Sequence, residues 1–175
     1  MKFTKLAAAV ALTAAVATPA FAVDGTFGTT STGSTVITAN IGNLVRITNI
    51  DDPITLAPNA GGDLVYTDTI CLFRNGTDNQ NLNLTFSSAT GAGAFEVTDG
   101  TNFVAYTVDV AAGALAGAVT EGAATAANGS TDNTPACTAS GGNNASYTLT
   151  IPLLSIQSAV AGTYTDTLTI LIAPI

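Results

Sequence analysis

Residues 162–174 read Gly-Thr-Tyr-Thr-Asp-Thr-Leu-Thr-Ile-Leu-Ile-Ala-Pro. In an extended chain Tyr164, Leu168, Ile170 and Ile172 fall on one side, and Thr163, Thr165, Thr167 and Thr169 on the other. A period of two with a threonine face describes a strand with one side in a core and one in water. Ala145 to Leu153 repeats the pattern, with Tyr147, Leu149, Ile151 and Leu153 in phase. Pro152 cannot donate to a ladder, so it marks an edge or a strand end.

The same reading extends backwards along the chain. Strands are expected over 63–73, 81–87, 95–98 and 103–110, separated by Asn59-Ala60-Gly61-Gly62, Asn75-Gly76, Gly91-Ala92-Gly93 and Asp99-Gly100. Asp99-Gly100 between two apolar runs predicts a hairpin turn. Residues 111–144 are rich in Ala, Gly, Thr and Asn, and read as a long loop or a weak strand. Beyond residue 22, helical periodicity is nearly missing. Short β-branched runs between turn clusters make the chain an all-β sandwich or barrel.

The N-terminal end has its own organisation. Lys2 and Lys5 precede an apolar run from Leu6 to Val16, then Pro19 and the triplet Ala20-Phe21-Ala22. This is the layout of a secretory signal peptide over 1–22, cleaved after Ala22. The apolar run is shorter than the roughly 20 residues that span a bilayer, so stable membrane insertion is not expected. Residues 23–34 are nearly all Gly, Thr and Ser, a composition that cannot bury enough surface to fold alone. From Thr35, Ile37, Ala39 and Ile41 alternate with Val36, Thr38 and Asn40, a β-competent arm. Residues 23–41 are therefore read as a leader and arm, and 42–175 as the folded domain.

Composition excludes several functions. Of four basic and twelve acidic residues in the whole chain, Lys2 and Lys5 leave with the signal. The mature charge is then 2 − 12 = −10, with no Lys and no His. Such a surface repels nucleic acid and anionic lipid. Without His or Lys, Ser-His-Asp and Ser-Lys catalysis lack their base. The adjacent carboxylates Asp51 and Asp52 precede Pro53 and read as a turn, not a glycosidase pair. No enzyme and no cofactor is expected. Asp51, Asp52, Asp63 and Asp78-Asn79-Gln80-Asn81 offer hard oxygen ligands for calcium, but without EF-hand spacing; turn chemistry is their ordinary use. Cys71 and Cys137, the only cysteines, are expected to form a disulfide in an exported protein.

Two stretches carry a resemblance. Ala161 to Ile170, running on to the C-terminus, resembles the terminal strand of spore-coat-U-type chaperone–usher pilins. Thr38-Ala39-Asn40-Ile41 and Leu44-Val45-Arg46-Ile47 look like the donor arm and first strand of the colonisation-factor class. The cysteine spacing departs from the pairing in early, neighbouring strands that many such pilins have. The resemblance implies an immunoglobulin-like β-sandwich lacking its last strand, completed by a donor strand from another subunit. Ile37, Ala39 and Ile41 would be the donor plugs; Tyr164, Leu168, Ile170 and Ile172 would line the acceptor side. The sequence given stops soon after its last apolar strand, so nothing is expected to follow and complete the sheet. Implied partners are further copies of the chain in a homopolymer, a periplasmic chaperone and an outer-membrane usher. The implied route is export to the periplasm and then to a fimbria at the cell surface, supporting adhesion or biofilm formation. The alternative is a self-contained secreted sandwich, with 35–41 as its own first strand, binding glycan, a host surface or calcium.

Overall fold

The computed structural model describes residues 23–57, 61–76, 81–91, 93–129, 131–132, 134–138 and 141–175. The signal-peptide segment 1–22 and the possible calcium ligands 78–80 lie outside the described residues. The chain divides into two compact units between Ile41 and Gly42.

In the first unit, Val23 and Ser34 exchange backbone hydrogen bonds of 2.9 and 3.0 Å, closing a loop that presents Phe27 to solvent. Every residue from Val23 to Ile41 is exposed, and no strand or bridge is assigned from Thr35 to Ile41.

The second unit is a sandwich of antiparallel strands. In chain order they are β1 (Val45–Thr48), β2 (Leu64–Arg74), β3 (Leu82–Ser88), β4 (Glu96–Thr98), β5 (Phe103–Ala105), β6 (Thr107–Ala112), β7 (Leu115–Ala118), β8 (Ala124–Ala127), β9 (Ala145–Ile151) and β10 (Leu168–Pro174), with a short helix α1 (Leu153–Ser158) before β10. One sheet has the order β1-β2-β9-β6-β7, the other β10-β3-β8, and β4-β5 form a hairpin. Alternation fills the space between the sheets: Leu82, Leu84 and Phe86 from β3 face Tyr147, Leu149 and Ile151 from β9 and Val108 and Val110 from β6. Phe86 and Tyr147 meet across the layers with ring centroids 6.0 Å apart, a tilted pairing favoured by ring quadrupoles.

The Asp99-Gly100 hairpin forms as its sequence dictates, with Thr98 opposite Phe103 and Gly100 at φ 95°. The Asp99 carboxylate accepts from the amides of Thr101 and Asn102 at 2.9 and 2.7 Å. Elsewhere the structure revises the sequence reading. Residues 111–144 contain two strands, β7 and β8, whose Ala and Gly side chains give no β-branched signal; their ladders come from β6 and β3. The run 103–110 breaks at Tyr106, whose amide bonds to Phe95 O at 2.9 Å. Pro152 ends β9 and opens α1, where the Asp63 carboxylate accepts from the Leu153 amide at 2.8 Å. Leu153 therefore leaves the strand phase. The terminal strand is shorter than the alternation suggested: Thr165 bridges Thr98 before β10 begins.

Cys71 and Cys137 are disulfide-bonded, with Cα atoms 5.7 Å apart. Cys71 lies in β2 opposite Thr48 of β1, so the bond fastens Cys137 and the 134–138 stretch onto the edge half of the large sheet. A parallel bridge between Phe73 and Asp132 supports the same attachment. Where the β2–β9 ladder ends, the Asn144 side chain takes over, bonding Leu72 N and O at 2.8 and 2.9 Å. On the chain-entropy account a closed loop of this length contributes about 4 kcal/mol. Changing both cysteines to serine, or adding reductant, is expected to lower the urea midpoint correspondingly; an unchanged midpoint would show that the bond constrains nothing.

Candidate functional site: an open flank between two edge strands

A sandwich has two flanks where its sheets must be closed. On one flank the β7–β8 connection runs from sheet to sheet, held by Val119 N to Val108 O at 2.9 Å, Gly122 N to Phe86 O at 2.8 Å and Ala114 N to Asn128 O at 3.0 Å. The other flank is bounded by β1 and β10. Among the described residues each is an edge strand, hydrogen-bonded on one side only, and the two lie within contact distance without pairing. Their outer edges therefore present backbone donors and acceptors available to another strand.

Burial distinguishes this flank from the rest of the core. Leu72, Leu82, Leu84, Phe86 and Val108 are at most 1% exposed. The inward residues of the edge strands, Val45 and Ile47 on β1 and Leu168, Ile170 and Ile172 on β10, belong to the same cluster but are only partly buried. Ile54 and Leu56, from the connection after β1, are in the same condition. The apolar interior is thus less completely covered along this side, beside two strand edges.

Leu168, Ile170 and Ile172 stand in β10 on its inward face, aligned opposite Ser88, Phe86 and Leu84 of β3. Tyr164 lies ahead of the strand; it packs against the same core cluster and also lines a cleft with Phe103. Ile37 and Ile41 are 88% and 79% exposed, and Ala39 is exposed as well. The second wall, Val45 and Ile47, falls in the Leu44-Val45-Arg46-Ile47 stretch that resembles a first strand, but these residues were not singled out as part of the acceptor side.

Of the carboxylates considered for calcium or catalysis, Asp51 and Asp63 have local duties. Asp63 caps α1. Asp51 accepts a short hydrogen bond from the Tyr66 hydroxyl, and its amide donates to the buried Asp68 carboxylate at 3.0 Å. The Tyr66 pKa is pushed up to about 12, first by the bond to Asp51, then by burial and the charges of Asp51 and Asp68. At neutral pH this phenol is a donor and cannot serve as a base. Tyr147 is raised by burial first and by its bond to Asp68 second. Among the described residues no three His, Cys, Asp or Glu side chains group as metal ligands, and no helix is long and apolar enough to cross a membrane.

With this geometry in view, comparison with solved structures gives a likeness of fold. No family model and no curated protein sequence matches the chain. A chain in the solved structure of a chaperone–tip adhesin complex described as vital for synergistic activation of CFA/I fimbriae biogenesis superposes with a TM-score of 0.54 at 19% identity. The match covers 75% of the present chain and 41% of that one. The likeness is one of fold. It supports the all-β sandwich architecture, and the present chain spans about two fifths of its neighbour's length.

The entry to β10 is anchored by Asp166. Its carboxylate accepts from the Tyr106 hydroxyl at 2.6 Å and the Thr90 amide at 3.1 Å. Burial, the largest single effect, opposes its ionisation, but hydrogen bonds from Tyr106, Ser88, Thr90 and Thr167 together outweigh it and hold the pKa below the ordinary value. A depressed folded-state pKa gives stability that is present above the unfolded value, near pH 4, and lost as pH falls through the folded one. Asp166→Asn is expected to lower the melting temperature at neutral pH and to flatten its decline below about pH 4. A wild-type acid profile in this variant would show that the carboxylate does not anchor the strand as a charge.

Proposed function

We propose that the chain is a structural subunit of a surface fimbria, not an enzyme, and that successive copies are joined by strand addition. The observation that carries this reading is the partly buried apolar flank between β1 and β10, with free strand edges on both sides. Residues 35–41 have the complementary form: extended alternation of Ile37, Ala39 and Ile41, exposed and without a strand partner. An arm from a second copy inserted along the flank gives backbone pairing to the open edges, and alternate side chains pack into the flank. Burying an isoleucine contributes about 1.5–3 kcal/mol, so two plugs and a short ladder suffice to hold a junction.

The fold likeness to a component of a chaperone–adhesin complex of fimbriae supports the same reading. It fits a life history in which a periplasmic chaperone covers the flank first and the arm of the next subunit replaces it at an outer-membrane usher. The pattern at residues 1–22 agrees with export, and a Thr- and Asn-rich acidic exterior suits a filament that supports adhesion or biofilm formation. Of the possible calcium ligands, Asp51 and Asp63 are occupied with local hydrogen bonds, which favours this reading over calcium binding.

Electron microscopy of the mature protein is expected to show thin fibres, and removal of residues 23–41 to leave a folded chain that forms none. Ile37→Asp or Ile41→Asp would carry an uncompensated charge into the flank at a cost of several kcal/mol per junction, shortening or abolishing fibres. Fibres of normal length from the truncated protein or from both aspartate variants would overturn the proposal, and a stable monomer from the intact mature chain would favour the self-contained binding module.

A further inference from the structure

We infer that the cleft between α1 and the β4–β5 hairpin is a binding site for a single neutral sugar ring. The cleft has a volume of about 220 Å³ and is lined by Asn102, Phe103 and Ala105 on the hairpin side and by Ser155, Ser158 and Tyr164 on the other. That is below the usual range for drug-sized ligands, about 300–1,000 Å³, and on the scale of one pyranose ring.

Two aromatic rings border it, in a chain with only eleven Phe and Tyr residues and no Trp. Phe103 is 57% exposed at the lip, an unusual position for a large apolar ring that β5 could have turned inward in place of Val104, which is buried. Tyr164 stands half-buried on the opposite side, fixed by a 2.9 Å bond from its hydroxyl to Val160 O. A flat, half-exposed ring offers its negative face to the weakly positive C–H groups of a sugar, the same quadrupole that governs aromatic pairing.

The polar groups in the cleft are neutral and oriented. Ser158 Oγ donates to Ser155 O at 3.1 Å and keeps its lone pairs for an incoming hydroxyl. Tyr164 Oη, having donated to Val160, likewise remains an acceptor. Asn102 donates through Nδ2 to Asp99 at 2.9 Å, which turns its carbonyl oxygen to acceptor duty. Ser155 adds a further hydroxyl. No Lys or Arg lines the cleft, and the Asp99 carboxylate lies beside Gly162 and Tyr164 at its rim. Hydroxyl donors are therefore welcome there and anionic sugars are repelled. One ring and a few exchangeable hydrogen bonds give millimolar affinity.

The test is saturation-transfer-difference NMR on the mature chain, which reads weak ligands against monomer or fibre alike. The probes are the methyl glycosides of glucose, galactose, mannose, fucose and N-acetylglucosamine, with sialic acid as the anionic control. At least one neutral glycoside is expected to receive saturation, with no transfer to sialic acid. Phe103→Ala is expected to weaken that signal about tenfold, the size of one lost aromatic contact, and Ser155→Ala to weaken it less. Both variants lie on exposed or half-exposed positions, and their melting curves establish folding; should Phe103→Ala not fold, Ser155→Ala decides. Silence from every neutral glycoside, binding of sialic acid alone, or transfer unchanged in both folded variants would overturn the assignment.

Discussion

Everything distinctive in this molecule depends on one unmet requirement of a β-sandwich, the need to cover the gap between its sheets on both flanks. The core itself is well made. Phe86 against Tyr147, and the leucines of β3 against β9 and β6, are shielded almost completely. The β7–β8 connection closes one flank with backbone bonds into both sheets. On the opposite flank the same cluster runs out into Val45, Ile47, Leu168, Ile170 and Ile172, which solvent still reaches. Apolar surface left in water and strand edges left unpaired both favour the arrival of one more strand. Short β1, only four residues long, limits how much edge is presented to chance partners.

The polar interior explains why this flank keeps its shape. Asp68 is buried between the layers, receiving the Asp51 amide and the Tyr147 hydroxyl. Asp166 receives Tyr106 and Thr90 where the chain turns into β10. In both places a tyrosine spans from the core to a carboxylate, so that the charge is satisfied and the phenol is held as a donor. The disulfide does comparable work beside β1, fixing the 134–138 stretch over Cys71 and so backing the edge strand's neighbour. Edge strands are thus held firmly on their inner sides while their outer sides stay open.

Much of this was legible in the residues. Threonine alternating with Leu and Ile in 162–174, and the matching pattern in 145–151, named the sandwich because a half-buried strand needs that period. Asp99-Gly100 named its hairpin, and the cysteine pair named its bond. What stayed hidden has physical causes. β7 and β8 are mostly Ala and Gly, with Leu115 and Thr125 the exceptions, and their strand character comes from their neighbours' ladders more than from their own side chains. Tyr164 keeps the parity of Leu168 and packs against the same core cluster, but it lies ahead of β10, and alternation does not report where a ladder begins. The helix after Pro152 rests on a cap from Asp63, ninety residues away. Incomplete burial of the β1–β10 flank was implied by the resemblance alone, since alternation reports which face is apolar and not whether it is covered.

The central claim is that residues 35–41 of one copy close the β1–β10 flank of another. Amide hydrogen exchange by mass spectrometry on assembled material reads this directly. The account predicts that backbone amides of 35–41 exchange as slowly as those of β10 in the assembled state and freely after dissociation. Rapid exchange throughout 35–41 in intact fibres would contradict it.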